Sequence, residues 1–340
     1  MKKKALVLIN TGTPGRPHWR SVYVFLTRFL NDPRVVDLPL VIRKILVNLV
    51  IVPLRACKSA KLYRKIWTQE GSPLLVYMER LVSKLDSGLK NECDVFGAMR
   101  YGEPFLENVL SHIRKGRYRE IIVVPLFPQY ASSTTGSALE KTMKIVQKWE
   151  VVPSVRFVSQ FYSHPSFIKC FAANIAKYDL KQFSHIVFSF HSLPLRHIEK
   201  VHPGRSPATC NCTGEMPEHG TFCYKAACYE TARLISREAG LENGGFTVSF
   251  QSRFAKNWIS PFTDEVIRDL ALNGHKKILV VSPSFVADCL ETLYEISVEY
   301  SHIFKKHGGR ELVMAESLND KEDWVEAITE IAGLSKISVQ

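Results

Sequence analysis

Two segments of the sequence decide the fold, and each is an apolar run that ends in a small-residue turn closed by proline. The first is KALVLINTGTP at residues 4–14, and the second is HIVFSFHSLP at residues 185–194. A further similar pair is IIVVPLF at residues 121–127 and ILVVSPSF at residues 278–285. Uniformly apolar runs are typical of strands covered on both faces, as in parallel sheets. The paired segments therefore predict two similar halves.

Other apolar runs and amphipathic segments extend this pattern through the chain. The further strand-like runs lie at residues 94–99, 154–161, 246–251 and 312–315. Segments of helical period lie between them, for example at residues 105–114, 137–149 and 264–272. Alternation of strands and helices predicts an α/β fold with parallel sheets flanked by helices. The last segment, 320–332, predicts a helix with acidic residues in its first turn.

Composition and charge narrow the class of protein. The chain has 340 residues, of which 46% are apolar, enough for one large or two ordinary globular domains. The net charge of +12 favours anionic partners such as acidic lipid or a carboxylated small molecule. We expect no nucleic-acid binding, because the sequence contains no zinc-finger or RNA-recognition motif and no compact basic block.

Neither apolar segment near the start of the chain predicts a membrane span. The run 5–9 is broken by the turn at residues 10–14 before it reaches the length of a signal peptide. The most apolar stretch, 38–54, contains charged residues and is too short to span a bilayer, which needs roughly 20 apolar residues. An ordinary buried helix, a helix that touches a membrane and the wall of an apolar pocket all remain open for this stretch.

The residues suited to catalysis lie beyond the carboxyl ends of predicted strands, where parallel sheets bind their ligands. His191 directly follows the strand that begins at residue 185. Asp288, Glu291 and Glu295 are spaced by three and four, so on an α-helix they would share one face. A lone histidine is more often structural, and an acidic stripe is more often a solvated surface. Burial among apolar neighbours would instead raise the carboxylate pKa values and permit proton exchange near neutral pH.

Seven short motifs resemble those of the ferrochelatase family, in the family's order and across nearly the whole chain. They are FLNDPRVV at 29–36, GSPLL at 71–75, MRYG at 99–102, PQYASSTTG at 128–136, HSLP at 191–194, WISPFTD at 258–264 and LETLYE at 290–295. The resemblance implies two similar Rossmann-like halves, residues 1–161 and 162–318, with a porphyrin cleft between them. It also implies that a C-terminal helix in residues 319–340 packs back on the first half.

The resemblance implies an enzyme that inserts Fe²⁺ into protoporphyrin IX, the terminal step of haem biosynthesis. Metallation replaces two pyrrole protons by the ion, and imidazole and carboxylate are suitable bases and transient ligands for ferrous iron. By resemblance, His191 is the pyrrole proton acceptor and a ligand of the substrate iron. Glu291 faces it as the second iron ligand or as a proton relay, with Glu295 and Asp288 behind it. The opposite division of roles between His191 and Glu291 fits the sequence equally well.

Porphyrin contacts are also implied by the resemblance. Aromatic walls would come from Tyr130, Trp258 and Phe285, for which core packing is the ordinary alternative. The polar contacts implied are Thr11, Arg55, Arg100, Tyr101, Ser132, Ser133, Thr134 and Thr135. A bidentate arginine suits a propionate. Thr11 stands where some bacterial family members carry a tyrosine associated with coproporphyrin, which favours protoporphyrin IX here.

Half of the eight cysteines lie in one loop, residues 203–228. They are Cys210, Cys212, Cys223 and Cys228. Disulfides are disfavoured in the cytosol, so clustered thiols indicate a metal. Many bacterial ferrochelatases carry a 2Fe-2S cluster, which needs four thiolates, and the resemblance implies one here. Structural zinc, for which His219 lies in the same loop, and free thiols are the alternatives.

Three other functions remain open on the sequence. They are a ferrochelatase for coproporphyrin III, a cobalt or nickel chelatase, and a non-catalytic tetrapyrrole or metal carrier of the same fold. A carrier would need neither the histidine nor the acidic group. We expect a cytoplasmic monomer or homodimer whose partners are porphyrin and ferrous iron. Peripheral contact with the inner face of the membrane is a further expectation.

Overall fold

The computed structural model describes residues 4–90, 92–202, 212–241 and 245–335. The chain divides into two compact units, each with a parallel sheet of four strands among the described residues. Unit 1 comprises Met1–Phe127, Ser132–Gln160 and Asp320–Gln340, and unit 2 comprises Pro128–Ala131 and Phe161–Asn319. The domain boundaries inferred from the sequence stay a prediction.

Unit 1 is built on a sheet with the strand order β2-β1-β3-β4. Its strands are β1 (Lys4–Asn10), β2 (Cys93–Met99), β3 (Glu120–Pro125) and β4 (Ser154–Phe157). Its α-helices are α1 (Trp19–Leu30), α2 (Leu40–Ile45), α3 (Val52–Ile66), α4 (Pro73–Leu89), α5 (Leu106–Gly116), α6 (Ser137–Val146) and α12 (Glu322–Ile331). Two π-helical segments, Leu46–Ile51 and Ser132–Gly136, precede α3 and α6. The final helix α12 packs against α4 within this unit.

The core of unit 1 explains why β1 is apolar at every position. Residues 5–9 are fully buried, because helices cover both faces of the sheet. On one face of the sheet, Leu110 of α5 and Ala138 of α6 pack with the buried side chains of β1 in one hydrophobic cluster. The turn after β1 requires glycine, since Gly12 has a φ of 106° and an added Cβ would lie 2.8 Å from the backbone nitrogen of Gly102.

Unit 2 repeats this arrangement, with the strand order β6-β5-β7-β8. Its strands are β5 (His185–His191), β6 (Phe246–Gln251), β7 (Lys277–Val281) and β8 (Glu311–Met314). Its α-helices are α7 (Pro165–Ile175), α8 (Leu195–Glu199), α9 (Tyr224–Glu238), α10 (Thr263–Leu272) and α11 (Ser301–Lys306). It also contains a π-helical segment at Glu291–Tyr300 and 3₁₀ turns at Leu180–Gln182 and Glu218–Phe222. The predicted α/β class and its two similar parallel-sheet halves are thus confirmed.

The most apolar stretch, residues 38–54, forms α2, the first π-helical segment and the start of α3. Val47 and Val52 are fully buried, but Leu49 and Leu54 are 72% and 75% exposed. An ordinary buried helix therefore does not describe this stretch. Among the described residues, no helix has both the length and the apolar character needed to cross a membrane.

Candidate active site and cysteine loop

His191 is the last residue of β5, and a hydrogen bond to the backbone of the next residue orients its imidazole. Nδ1 lies 2.6 Å from the carbonyl oxygen of Ser192. A carbonyl oxygen only accepts, so Nδ1 carries the proton and donates it to this bond. In the neutral ring Nε2 then keeps its lone pair and can accept a proton or bind a metal. The histidine is thus held as a base at the carboxyl end of a parallel strand.

The backbone of His191 is fixed from two sides within unit 2. Its amide nitrogen donates to the Ser284 hydroxyl at 3.2 Å. Its carbonyl oxygen accepts from the hydroxyl of Tyr224, the first residue of α9, at 2.8 Å. The Phe285 ring lies beside the imidazole, with ring centroids 6.2 Å apart. Sequence reasoning missed Tyr224, whose position beside a cysteine was its only signal.

Glu295 lies in the π-helical segment and is tightly hydrogen-bonded. Its Oε1 accepts from the backbone amide of Ser252 at 2.9 Å and from the Tyr300 hydroxyl at 2.6 Å. Its Oε2 accepts from the Ser252 hydroxyl and, at 3.4 Å, from the Gln251 amide. Because a π-helix bonds residues five apart, Tyr300 comes back to the side of Glu295. Sequence reasoning missed Ser252 and Tyr300, since no local pattern marks either of them.

The electrostatics of Glu295 connect it with the other predicted catalytic groups. Burial raises its pKa, and the nearby Glu291 carboxylate raises it further. The donors Ser252 and Tyr300, together with His191, oppose that rise. Both Glu291 and His191 therefore lie near enough to Glu295 to influence its charge. The catalytic roles assigned to the three residues stay a prediction.

Glu291 begins the π-helical segment, and its surroundings hold both its backbone and its carboxylate. Its carbonyl oxygen accepts from the Gln251 side-chain amide at 3.2 Å. Its carboxylate is hydrogen-bonded to the Cys289 thiol, whose pKa is raised well above its ordinary value by burial and then by that charge. A thiol that stays protonated donates to Glu291 without competing for a metal.

Asp288 occupies a different environment from the other two acids. It precedes the helical segment, so it does not share a helix face with Glu291 and Glu295 as the spacing had indicated. Its Oδ1 accepts from the Thr292 hydroxyl at 2.9 Å, and its Oδ2 accepts from the Asn319 amide at 2.8 Å. These bonds tie the segment that follows β8 to the start of the π-helical segment. A relay role for Asp288 stays a prediction.

The aromatic residues predicted to contact porphyrin in unit 2 are partly accessible rather than buried in the core. Trp258 stacks on Phe254, with ring centroids 5.6 Å apart and an interplanar angle of 27°. Tyr130 contacts Phe222 edge to face at 5.9 Å between centroids. Phe285 lies beside the His191 imidazole.

In unit 1, Arg100 and Tyr101 both donate hydrogen bonds to Asp32, a residue that the sequence analysis did not identify. Asp32 is 6% exposed and accepts from the Arg100 guanidinium at 2.7 Å and from the Tyr101 hydroxyl at 2.9 Å. Ser137, at the start of α6, also donates to Asp32, at 2.6 Å. Burial, and then the Asp32 charge, raise the pKa of Tyr101 far above its ordinary value. The only sequence signal that could have identified Asp32 is its position inside the motif at residues 29–36.

The other predicted polar contacts of unit 1 are dispersed. Thr11 follows β1, with its amide bonded to Asn10 at 2.8 Å, and Arg55 is exposed on α3. Ser132, Ser133, Thr134 and Thr135 form the π-helical segment before α6, in which Ser132 accepts from Arg34 at 2.9 Å and Thr135 is fully buried. Porphyrin binding by these residues stays a prediction.

In the cysteine loop, the structure brings two of the predicted ligands together. Cys212 and Cys223 are both 1% exposed, with their sulfurs 3.8 Å apart, and their ligating atoms lie within 4.8 Å of a nitrogen of the buried His202. Cys228 does not join this group and is hydrogen-bonded to Tyr224. Cys210 lies outside the described residues. Cys212 is disulfide-bonded in this structure, so ligation through its sulfur requires reduction to the thiolate.

The fold with its two parallel sheets is shared with solved chelatases. The structure of SirB from Bacillus subtilis with Fe3+ matches with a TM-score of 0.54 and 11% identity, covering 99% of this chain and 100% of that one. The cobalt complex of the sirohydrochlorin chelatase SirB from Bacillus subtilis subspecies spizizenii matches with a TM-score of 0.51 and 11% identity, covering 97% and 94%. At such identity the likeness shows only that this chain shares the fold of these proteins.

The particular family follows from the sequence comparisons. The Ferrochelatase family model matches residues 3–334. Ferrochelatases of Legionella pneumophila (strain Lens) and Coxiella burnetii (strain CbuK_Q154) are 41% and 40% identical over 97% of this chain and over 98% and 93% of theirs. The chain therefore belongs to the ferrochelatase family. The family and the metal-inserting enzyme activity predicted from the motifs are confirmed.

Proposed function

We propose that this chain inserts Fe²⁺ into protoporphyrin IX, with His191 as the pyrrole proton acceptor. The hydrogen bond from Nδ1 to the Ser192 carbonyl oxygen carries this assignment, because it selects the tautomer with a basic Nε2. Glu295 interacts electrostatically with both His191 and Glu291, so the base and the acids act as one group. We assign Glu291 as the transient ligand of the substrate iron and Glu295 as its partner in proton transfer.

The proton balance of metallation accounts for both kinds of group. Two pyrrole N–H bonds break, bonds form between Fe²⁺ and the ring nitrogens, and two protons leave. His191 Nε2 accepts one proton, and the carboxylates of Glu291 and Glu295 stabilise the resulting imidazolium. Glu295 accepts the second, since a carboxyl group with a raised pKa is a better proton acceptor near neutral pH. The iron stays ferrous, so no oxidant or reductant is required.

The apolar walls proposed for the macrocycle in unit 2 are Trp258, Phe285 and Tyr130. Phe285 supports this role because its ring lies next to the His191 imidazole. Binding a distorted macrocycle would stabilise the transition state more than the flat substrate, since distortion exposes the pyrrole nitrogens to the metal. We propose that these aromatic rings supply the contacts that favour the distorted form.

An anaerobic metallation assay tests this function. Purified protein, Fe²⁺ and protoporphyrin IX should give the absorption spectrum of haem at a rate proportional to enzyme concentration. Parallel reactions with coproporphyrin III and with Co²⁺ or Ni²⁺ measure porphyrin and metal preference. Porphyrin binding spectra without metalloporphyrin formation would indicate a carrier instead.

We further propose that the cysteine loop holds a metal centre. The spacing of Cys212 and Cys223 suits two thiolates on one tetrahedral metal, which at metal–sulfur distances of about 2.3 Å are about 3.8 Å apart. A 2Fe-2S cluster on Cys210, Cys212, Cys223 and Cys228 and a structural zinc are the two candidate centres. Iron, sulfide and zinc analysis of protein purified without oxygen and with thiol reductant separates them.

For location, we propose a cytoplasmic protein with peripheral contact at the inner face of the membrane. The support is the exposed apolar surface of residues 40–54, where Val41, Leu49 and Leu54 are 68%, 72% and 75% exposed. Side chains of this kind insert into the interfacial region of a bilayer, and a basic chain favours acidic lipid. Co-sedimentation with acidic vesicles should fall when Leu49 and Leu54 are replaced by serine.

A further inference from the structure

Gln251 is the last residue of β6, and its buried side-chain amide joins the sheet of unit 2 to the π-helical segment that carries two of the proposed acids. Its Nε2 donates to the carbonyl oxygen of Glu291 at 3.2 Å and to Oε2 of Glu295 at 3.4 Å. Its Oε1 accepts from the Ser189 hydroxyl at 2.7 Å and from the Ser282 hydroxyl at 3.4 Å. The amide therefore uses both of its hydrogens and both lone pairs of its oxygen.

A row of buried hydroxyl groups continues the hydrogen bonding behind Gln251. The hydroxyl of Ser189 on β5 lies 2.9 Å from that of Thr263, which lies 2.9 Å from the hydroxyl of Ser249 on β6. All three residues are fully buried. Each hydroxyl has one proton, and Ser189 donates its proton to Gln251. Thr263 must therefore donate to Ser189, and Ser249 must donate to Thr263, so every donor in the chain points toward Gln251.

This alignment fixes which end of the Gln251 amide faces the acids. A donating hydroxyl can bond only to the amide oxygen, because an amide NH₂ group accepts no hydrogen bond. The NH₂ group is thereby left for Glu291 and Glu295. Donors that point in one direction also polarise one another, which strengthens the last bonds of the chain. Since a side-chain amide neither gains nor loses a proton near neutral pH, the chain orients groups and does not carry protons.

We propose that Gln251 is a positioning residue for metallation, and that the buried hydroxyl chain orients its amide toward Glu291 and Glu295. This inference rests on the proposed roles of those two acids. The bond to the Glu291 carbonyl oxygen fixes the backbone where the π-helical segment begins. The bond to Oε2 of Glu295 fixes an oxygen that also accepts from the Ser252 hydroxyl. A misplacement of about 1 Å can cost roughly 100-fold in rate, so a buried residue can control turnover without touching either substrate.

Replacing the amide by an apolar side chain of similar length tests the positioning role. Gln251→Met should lower kcat at least ~10-fold, while the Kd for protoporphyrin IX, measured by fluorescence quenching, should change less than about twofold. In a Glu295→Gln background the same replacement should lower kcat less than about threefold, because the carboxylate that it positions is already absent. Equal losses in the two backgrounds would overturn the positioning role alone. Wild-type turnover in Glu295→Gln would refute the proposed role of Glu295 and the positioning that depends on it.

A second variant tests the hydroxyl chain and stays informative if Gln251→Met does not fold. Thr263→Val removes the central hydroxyl and keeps the shape of the side chain, so it should lower kcat about two- to threefold without changing the porphyrin Kd. Thr329→Val, in α12 of unit 1, is the matched control, because its hydroxyl is also buried and donates to the Val325 carbonyl oxygen at 3.1 Å. The control should keep the wild-type kcat. Equal kcat values in folded Thr263→Val and Thr329→Val would overturn the role of the chain.

Discussion

Removing the Tyr300 hydroxyl tests whether Glu295 takes part in proton transfer. The hydroxyl donates to Oε1 of Glu295 at 2.6 Å, and the Ser252 amide donates to the same oxygen at 2.9 Å. A hydrogen bond to a charged acceptor contributes roughly 1.5–3 kcal/mol, and one pKa unit corresponds to about 1.4 kcal/mol. Because the Ser252 donors remain in Tyr300→Phe, the lower figure applies. The pKa of Glu295 should therefore rise by about one unit.

The direction of the effect on rate follows from this rise. Burial and Glu291 already raise the pKa of Glu295, and loss of a donor to the ionised form raises it further. A base with a higher pKa stays protonated to higher pH, so the acid limb of the kcat/KM profile should move up by about one pH unit. Below that limb the rate should fall about tenfold, while the plateau should be unchanged. Anaerobic metallation of protoporphyrin IX across the neutral range provides the profile.

A matched tyrosine variant controls for the loss of a buried hydroxyl. Tyr118 is 8% exposed, and its hydroxyl also donates to a carboxylate, that of Asp94 in unit 1. Tyr118→Phe should leave the acid limb where it is in the wild type. An unshifted limb in folded Tyr300→Phe, or a limb shifted to lower pH, would refute the role of Glu295 as a proton acceptor.

Four further changes give separate tests. His191→Ala should abolish metallation but leave porphyrin binding, followed by fluorescence quenching, largely intact, and near-normal turnover would contradict its role as the base. Glu291→Gln should lower kcat at least ~100-fold without loss of fold, and a change confined to KM would argue against iron ligation. Asp288→Asn should lower the free energy of unfolding in urea by about 1–3 kcal/mol, because two buried carboxylate bonds are disturbed, and unchanged stability would show that they contribute little. Tyr224→Phe should lower kcat several-fold, because His191 loses a hydrogen bond that positions it, while the zinc or iron content of the protein stays unchanged. Loss of the metal would show instead that Tyr224 stabilises the cysteine loop.

The fold was predictable because its signal is local and repeated. Strands buried on both faces must be apolar at every position, as in residues 5–9, and such runs indicate a parallel sheet before any contact is known. The similar segments 4–14 and 185–194 contain β1 and β5. These two strands occupy the same position in their sheets, whose strand orders are β2-β1-β3-β4 and β6-β5-β7-β8. His191 was predictable for the same reason, because a strand's carboxyl end can be located from the sequence.

The remaining features depend on residues far apart in the chain. Ser252 donates a hydrogen bond to Glu295, which is 43 residues away in the sequence, and Asn319 donates one to Asp288, which is 31 residues away. Neither contact has a local pattern, because tertiary packing alone brings those donors to the carboxylates. The α-helical spacing that grouped Asp288 with the other acids also fails, because Asp288 lies before the helical segment that contains Glu291 and Glu295.

The α/β class and the family follow from the sequence, as does the candidate base His191, since each is carried by residues adjacent in the chain. Three properties come from tertiary contacts instead: the nitrogen of His191 that is left without a proton, the raised pKa of Glu295, and the position of His202 beside Cys212 and Cys223. Those properties arise from burial and from directed bonds at about 3 Å, and such distances are set by packing between elements rather than by order along the chain.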